Sequence, residues 1–251
     1  MDDARVGPAT GLAGQVRGEL AALFGDAGRA WRAGRRPWIA AAMCLLAAAC
    51  AVAERFAGAR AALGRAGDVY ARLPLGSEVA RMPLSVFLPT ADLPVWAAVA
   101  QIAAVVGIAE LVVGRVSTAV VAGAGQVLST LAARCLIALG PAVVLGLPLS
   151  QAGVLDTGPS GISTALGGWL LARRGAYASL TLLTVAIGFA AVVQFNLDGR
   201  EHATALVVGV GVAVLQSSAV RALPGRAVRE LRAIWDGALS RVGLRVRSTN
   251  H

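Results

Sequence analysis

Apolar residues come in long runs along this chain, and the polar residues gather at the ends of those runs. The first run covers Trp38–Ala53, and Arg29, Arg32, Arg35 and Arg36 precede it. A second covers about Leu93–Gly114 and stops at Arg115. A third starts near Val116 and is interrupted by Arg134, beyond which residues 135–150 are again apolar. Further runs follow from Ser160 to Arg173-Arg174, from Tyr177 to Phe195, and from His202 to Val220. About 20 residues of helix, at roughly 1.5 Å each, cross the hydrocarbon of a bilayer. The pattern therefore predicts an all-α, polytopic membrane protein with a bundle of six transmembrane helices. Arg134 is expected near the outer interface, with residues 135–150 as an interfacial or re-entrant segment. A seventh crossing there would put the later arginines on the wrong side.

Between the first two runs lies a polar stretch, 54–92, with charges of both signs and breaks at Pro74, Pro83 and Pro89. It is expected to be the longest extracytoplasmic loop. Residues 1–37 form an N-terminal segment ahead of the membrane domain 38–222. Within it, Leu12, Val16, Leu20, Leu23, Phe24 and Trp31 recur at helical spacing. That spacing fits an amphipathic helix on the membrane surface, with a partly ordered tail as the alternative. The first apolar run starts too late, after too polar a segment, to be a cleaved signal. Residues 223–251 form a basic tail.

Composition agrees with this pattern. Of the 251 residues, 57% are hydrophobic and 15% charged, and the mean hydropathy is +0.68. A soluble domain carries nearer a quarter charged residues. The net charge of +9 comes from Arg alone, since there is no Lys. These arginines flank apolar runs rather than forming a nucleic-acid surface, so their expected partners are anionic lipid head groups at the cytoplasmic face. The positive-inside rule then places both termini in the cytoplasm and the protein in the cytoplasmic membrane. Cys44, Cys50 and Cys135 show no CxxC spacing and are expected as small buried hydrophobes; no metal or cofactor is called for.

Two features stand above this background. Gly158-Pro159-Ser160-Gly161 opens the fourth run, and His202 opens the sixth. Six spans put Ser160 and His202 at similar depth on the outer side. A Ser–His pair suffices for nucleophilic catalysis when the imidazole takes the hydroxyl proton. Glycines beside the Ser allow a sharp turn and a close substrate carbonyl. The plainer reading is that Ser160 caps a helix and His202 sits at an interface.

The layout resembles the rhomboid intramembrane serine proteases. That family has six helices, a long first extracytoplasmic loop, a GxSG nucleophile opening the fourth helix and a His base in the sixth. The His lies in a pattern like A-H-x-x-G-x-x-x-G, and Glu201-His202-Ala-Thr-Ala205-Leu-Val-Val-Gly209 is similar, with Ala205 for the first glycine. Gly107-Ile-Ala-Glu110-Leu-Val-Val-Gly114-Arg115 resembles the family's G…E…G-R segment. The resemblance implies a Ser160–His202 dyad cleaving transmembrane protein substrates, with Gly158 and Gly161 supporting the oxyanion site. It also implies helix packing through Ala205 and Gly209. Where the family often carries H-x-x-x-N in the second helix, this chain has Val95-Trp-Ala-Ala-Val99-Ala-Gln101, leaving Gln101 as the available donor. Glu201, beside His202, is expected among head groups, with orientation of the imidazole as the alternative. Two other readings stand: an inactive rhomboid-like protein that binds membrane helices, and an unrelated multi-pass scaffold or transporter.

Overall fold

The structure is a computed structural model, and it describes residues 11–89, 94–143, 145–194 and 196–217. The basic tail and the predicted span ends at Leu93, Phe195 and Val220 lie outside these residues. The described residues form an all-helical fold, with a single isolated β-bridge between Val69 and Asp156. The helices are α1 Leu12–Arg32, α2 Trp38–Ala53, α3 Ala57–Gly67, α4 Leu75–Ser85 and α5 Val95–Gln101. A π-helical segment, Ile102–Val106, joins α5 to α6 Gly107–Val113. Then come α7 Arg115–Leu139, α8 Ser160–Arg174, α9 Tyr177–Val193 and α10 Leu197–Leu215. Two stretches, Val95–Val113 and Arg115–Leu139, are long and apolar enough to cross a membrane, while Trp38–Ala53 and Tyr177–Val193 are apolar but shorter.

Helix α8 is the centre of the bundle. Its Ala165, Leu166 and Trp169 are fully buried, and it packs on α10, α7 and α9. The inner faces of the π segment, α7 and α8 meet in one core that includes Ile102, Val106, Val121, Ile162 and Leu166. The outer helices turn large apolar side chains outward instead. Leu45 of α2 is 73% exposed, and Phe189 of α9 is 67% exposed.

Small residues set the helix spacing. A Cβ on Gly209 of α10 would lie 2.0 Å from the backbone oxygen of Ala165 on α8. One on Gly125 of α7 would lie 2.4 Å from Ala165 Cβ, and one on Gly168 would lie 2.6 Å from Leu206 Cδ1. Backbones this close gain dispersion contact that larger side chains would prevent. Further along, Trp169 Nε1 and Arg173 both donate to Gln216 Oε1, at 3.0 and 2.8 Å. Helices α8 and α10 therefore run parallel.

Helix ends are held by carboxylates brought from elsewhere. Glu110 Oε2 accepts from the backbone N–H groups of Ile39 and Ala40, at 2.8 and 3.1 Å, in the first turn of α2. Its other oxygen pairs with Arg115 at 3.1 Å, just past Gly114, whose φ of +98° suits glycine. Glu19 of α1 accepts from Ala178 and Ser179 N–H at 3.0 and 2.7 Å, in the first turn of α9. Free N–H groups and the positive helix end make these favourable places for a carboxylate.

Three segments differ from the sequence expectation. The polar stretch 54–92 contains two helices, α3 and α4. Helix α7 continues through Arg134 to Leu139, because Arg134 is neutralised from outside the helix: it pairs with the fully buried Glu78 of α4 and donates to Leu73 O at 2.7 Å. The chain then turns back, with Leu147 N–H bonded to Leu136 O at 2.9 Å, before a short 3-10 turn, Leu149–Gly153. Finally, α10 starts at Leu197, capped by Asn196 Oδ1 on Gly199 N–H at 3.0 Å, so His202 lies inside the helix. Cys135 is exposed on α7, unlike Cys50, which is buried.

Gly209→Ala should destabilise the chain by about 1–3 kcal/mol, because the new methyl meets backbone that cannot yield. Gly211→Ala on the same helix, where no heavy atom lies within 4 Å, should be neutral or gain up to ~1 kcal/mol. Thermal unfolding of the two variants in detergent measures the difference.

Candidate functional site

The segment that leads into α8 is tightly held. Asp156 N–H donates to Val69 O at 2.9 Å, and Gly158 N–H donates to Ser85 O at 2.9 Å. Gly158 has φ +107°, a conformation costly for other residues. Pro159 then occupies the N-cap position and Ser160 is the first residue of α8. Ser160 is half-buried, and its hydroxyl makes no hydrogen bond to the described residues. As the first residue of a helix, it leaves its own N–H and that of Gly161 free of intrahelical partners.

His202 is half-buried in the second turn of α10. No hydrogen bond joins it to Ser160 among the described residues. The contact between the two helix starts runs through their neighbours: a Cβ on Gly161 would lie 3.4 Å from Glu201 Oε1. Of the other residues singled out in the sequence, Gly161 is buried in this contact, and Ala205 and Gly209 face α8 with no exposed surface at Ala205. Gln101 is half-buried at the end of α5, and its side chain forms no hydrogen bond with Ser160.

Glu201 is not among head groups, contrary to the sequence expectation. It is 4% exposed, turned inward to α7. Its Oε1 accepts from Ser129 Oγ at 3.1 Å and from Thr130 Oγ1 at 3.2 Å. Thr130 Oγ1 also lies 3.3 Å from Asp156 Oδ2 and receives Gln126 Nε2 at 3.4 Å. Thr130 thus bridges two buried carboxyl groups from separate parts of the chain. Burial pushes Asp156 up to about 6, with further upward push from Asp198 and Glu78 against hydrogen bonds from Glu201 and Thr130. Gln126 Oε1 and Thr157 Oγ1 are buried beside this cluster with no partner.

The sequence reading missed this group. Its signal was the spacing of Gln126, Ser129 and Thr130, which share one face of an otherwise apolar helix. Among the described residues no His, Cys, Asp and Glu group has the makings of a metal site. Two open grooves of about 640 and 670 Å³ lie beside α1 and α9, and neither is lined by Ser160 or His202. Comparison with protein-family models, with curated proteins and with solved structures finds no match to this chain.

Thr130→Val keeps the shape and removes the bridging hydroxyl. It should cost about 1–3 kcal/mol, since buried acceptors lose their donor. Thr184→Val, at an exposed hydroxyl bonded only to Leu180 O, should stay within about 0.5 kcal/mol of wild type. Paired unfolding curves decide it.

Proposed function

We propose that this chain is a multi-pass protein of the cytoplasmic membrane with a rhomboid-like bundle of six transmembrane helices, and that Ser160 and His202 serve it as an intramembrane serine protease. The observation that carries the reading is the parallel packing of α8 on α10, which starts at Gly161 and Glu201. Ser160 precedes Gly161 on α8, and His202 follows Glu201 on α10. The outward apolar faces of α2 and α9 support a lipid surrounding, because a soluble bundle turns such faces inward. The arginines before α2 and in the last turn of α8 fit a cytoplasmic side with anionic head groups, and both termini belong there.

In this mechanism Ser160 Oγ attacks the scissile carbonyl of a transmembrane substrate. His202 takes the hydroxyl proton and later delivers it to the leaving amine. The tetrahedral oxyanion is met by the free N–H groups of Ser160 and Gly161 at the start of α8. Gly158 N–H is already given to Ser85 O, so Gly158 shapes the turn instead. Gln101 is the side-chain candidate for a second donor. Proton transfer needs a heavy-atom separation of roughly 3 Å, so the His202 ring must turn toward Ser160 when substrate binds.

A second reading, an inactive rhomboid-like protein that holds membrane helices, is favoured by one observation. The two side chains are not hydrogen-bonded, and α5 supplies no His or Asn.

Cleavage of a reporter transmembrane substrate separates the two. Ser160→Ala and His202→Ala should each cut the rate about a thousandfold or more, and a fluorophosphonate probe should label the wild-type chain at Ser160 alone. Cleavage that survives Ser160→Ala contradicts the protease reading. Substrate capture without labelling or cleavage favours the second.

A further inference from the structure

In the buried cluster around Thr130, the hydrogens bonded to the carboxyl oxygens come from two hydroxyls among the described residues. Ser129 has one hydroxyl hydrogen, shared between Glu201 Oε1 at 3.1 Å and Gln126 O at 3.2 Å. Thr130 also has one, shared between Glu201 Oε1 at 3.2 Å and Asp156 Oδ2 at 3.3 Å. Against these stand the carboxyl oxygens of Asp156 and Glu201. A further acceptor, Gln126 Oε1, is buried without a partner. It is aimed into the same space: a Cβ on Gly161 would lie 3.3 Å from Gln126 Oε1, 3.3 Å from Ser129 Oγ and 3.4 Å from Glu201 Oε1. Ionised carboxyls only accept, so acceptors here outnumber donors.

The two carboxyl groups flank one hydroxyl, with Thr130 Oγ1 3.2 Å from Glu201 Oε1 and 3.3 Å from Asp156 Oδ2. A carboxyl–carboxyl hydrogen bond requires a proton on one of them. Neither Asp156 nor Glu201 takes part in the ion pairs on Asp26, Glu78 and Glu110. Two buried negative charges this close, without a paired cation, repel at low dielectric.

We propose that Asp156 and Glu201 form a one-proton site, in which a single proton taken from water is held between the two carboxyl groups. It fastens the first turns of α10 to α7 and to the segment ahead of α8. Other ionisable groups on the elements packed against it are Asp198, Arg200 and His202 on α10, Glu78 and Arg81 on α4, Arg134 on α7, and Asp68, Tyr70 and Arg72 beside Val69. Helix α8 carries no charge before Arg173. Asp198 and Glu78 both disfavour a charge on Asp156, which strengthens retention of the proton. Losing the proton would set two like charges against each other under Ser160. The site does not depend on Ser160 being a nucleophile.

The sign of the pH effect follows. The folded chain binds this proton more tightly than the unfolded chain, so its stability is highest in acid and is lost as pH rises through the folded-state titration. Burial raises Asp156 to about 6, and burial together with the neighbouring Asp156 charge pushes Glu201 well above the ordinary carboxylate range, so the last proton leaves the pair above pH 6.

The test is infrared spectroscopy on the full chain in detergent at about pH 7, with thermal unfolding from about pH 5 to about pH 8. The wild type should show the C=O stretch of a protonated carboxyl. Its melting temperature should fall as pH rises. Glu201→Gln, whose amide can donate to Asp156, should lose about half or more of the band and flatten the melting profile. If that variant does not fold, Asp156→Asn should shift or weaken the band by changing its partner. A wild-type chain with no such band at neutral pH overturns the proposal. So does a band that both variants leave unchanged.

Discussion

The contact between Gly209 and the backbone of Ala165 is the constraint on which the rest depends. No side chain fits there, since a Cβ would stand 2.0 Å from the Ala165 oxygen. The two helices therefore meet backbone to backbone, parallel, with Trp169, Arg173 and Gln216 tying their far ends. That register brings Gly161 opposite Glu201 at the near end. Gly125 lets α7 reach the same Ala165, so three helices converge around one small residue. Ser160, His202 and the buried carboxyls are gathered at one end of this triple contact as a consequence.

Charges at the margins complete the frame, and each is answered by a particular partner. Glu110 caps α2 and pairs with Arg115, which explains a carboxylate inside an apolar helix. Glu78 meets Arg134 and so holds α4 against the end of α7. Glu110 and Glu78 are buried while Arg115 and Arg134 reach partly into solvent, so losing either arginine leaves a buried charge unanswered. These residues thus hold separate segments in fixed relation. The buried Asp156–Glu201 pair makes no such ion pair among the described residues, and Glu201 lies against Gly161 at the start of α8.

Much of the helical layout was legible from periodicity and punctuation. The run Trp38–Ala53 is a helix with those bounds, and Ser160 begins α8, because Pro37 and Pro159 set helix starts by local chemistry. The amphipathic spacing within 11–33 is helix α1. What stayed hidden depends on contacts distant in sequence. Glu201 reads as a head-group residue beside a polar turn, and only the hydroxyls of Ser129 and Thr130, about seventy positions away, make its burial possible. Arg134 reads as an interruption for the same reason, since its partner Glu78 lies in a stretch whose own helices carry weak apolar patterns. The Ser160–His202 relation was legible only as shared depth; side-chain alignment is set by rotamers that no spacing encodes.

The account rests on α8 and α10 starting from the same side of the membrane, with α9 crossing once between them. Single-cysteine variants Tyr177→Cys and Gln194→Cys, at the two exposed ends of α9, report this directly when Cys44, Cys50 and Cys135 are replaced. In sealed right-side-out vesicles, a membrane-impermeant maleimide should label Gln194→Cys at once, and Tyr177→Cys only after the membrane is opened. Labelling of both positions from one side would contradict the crossing, and with it the shared entry face of Ser160 and His202.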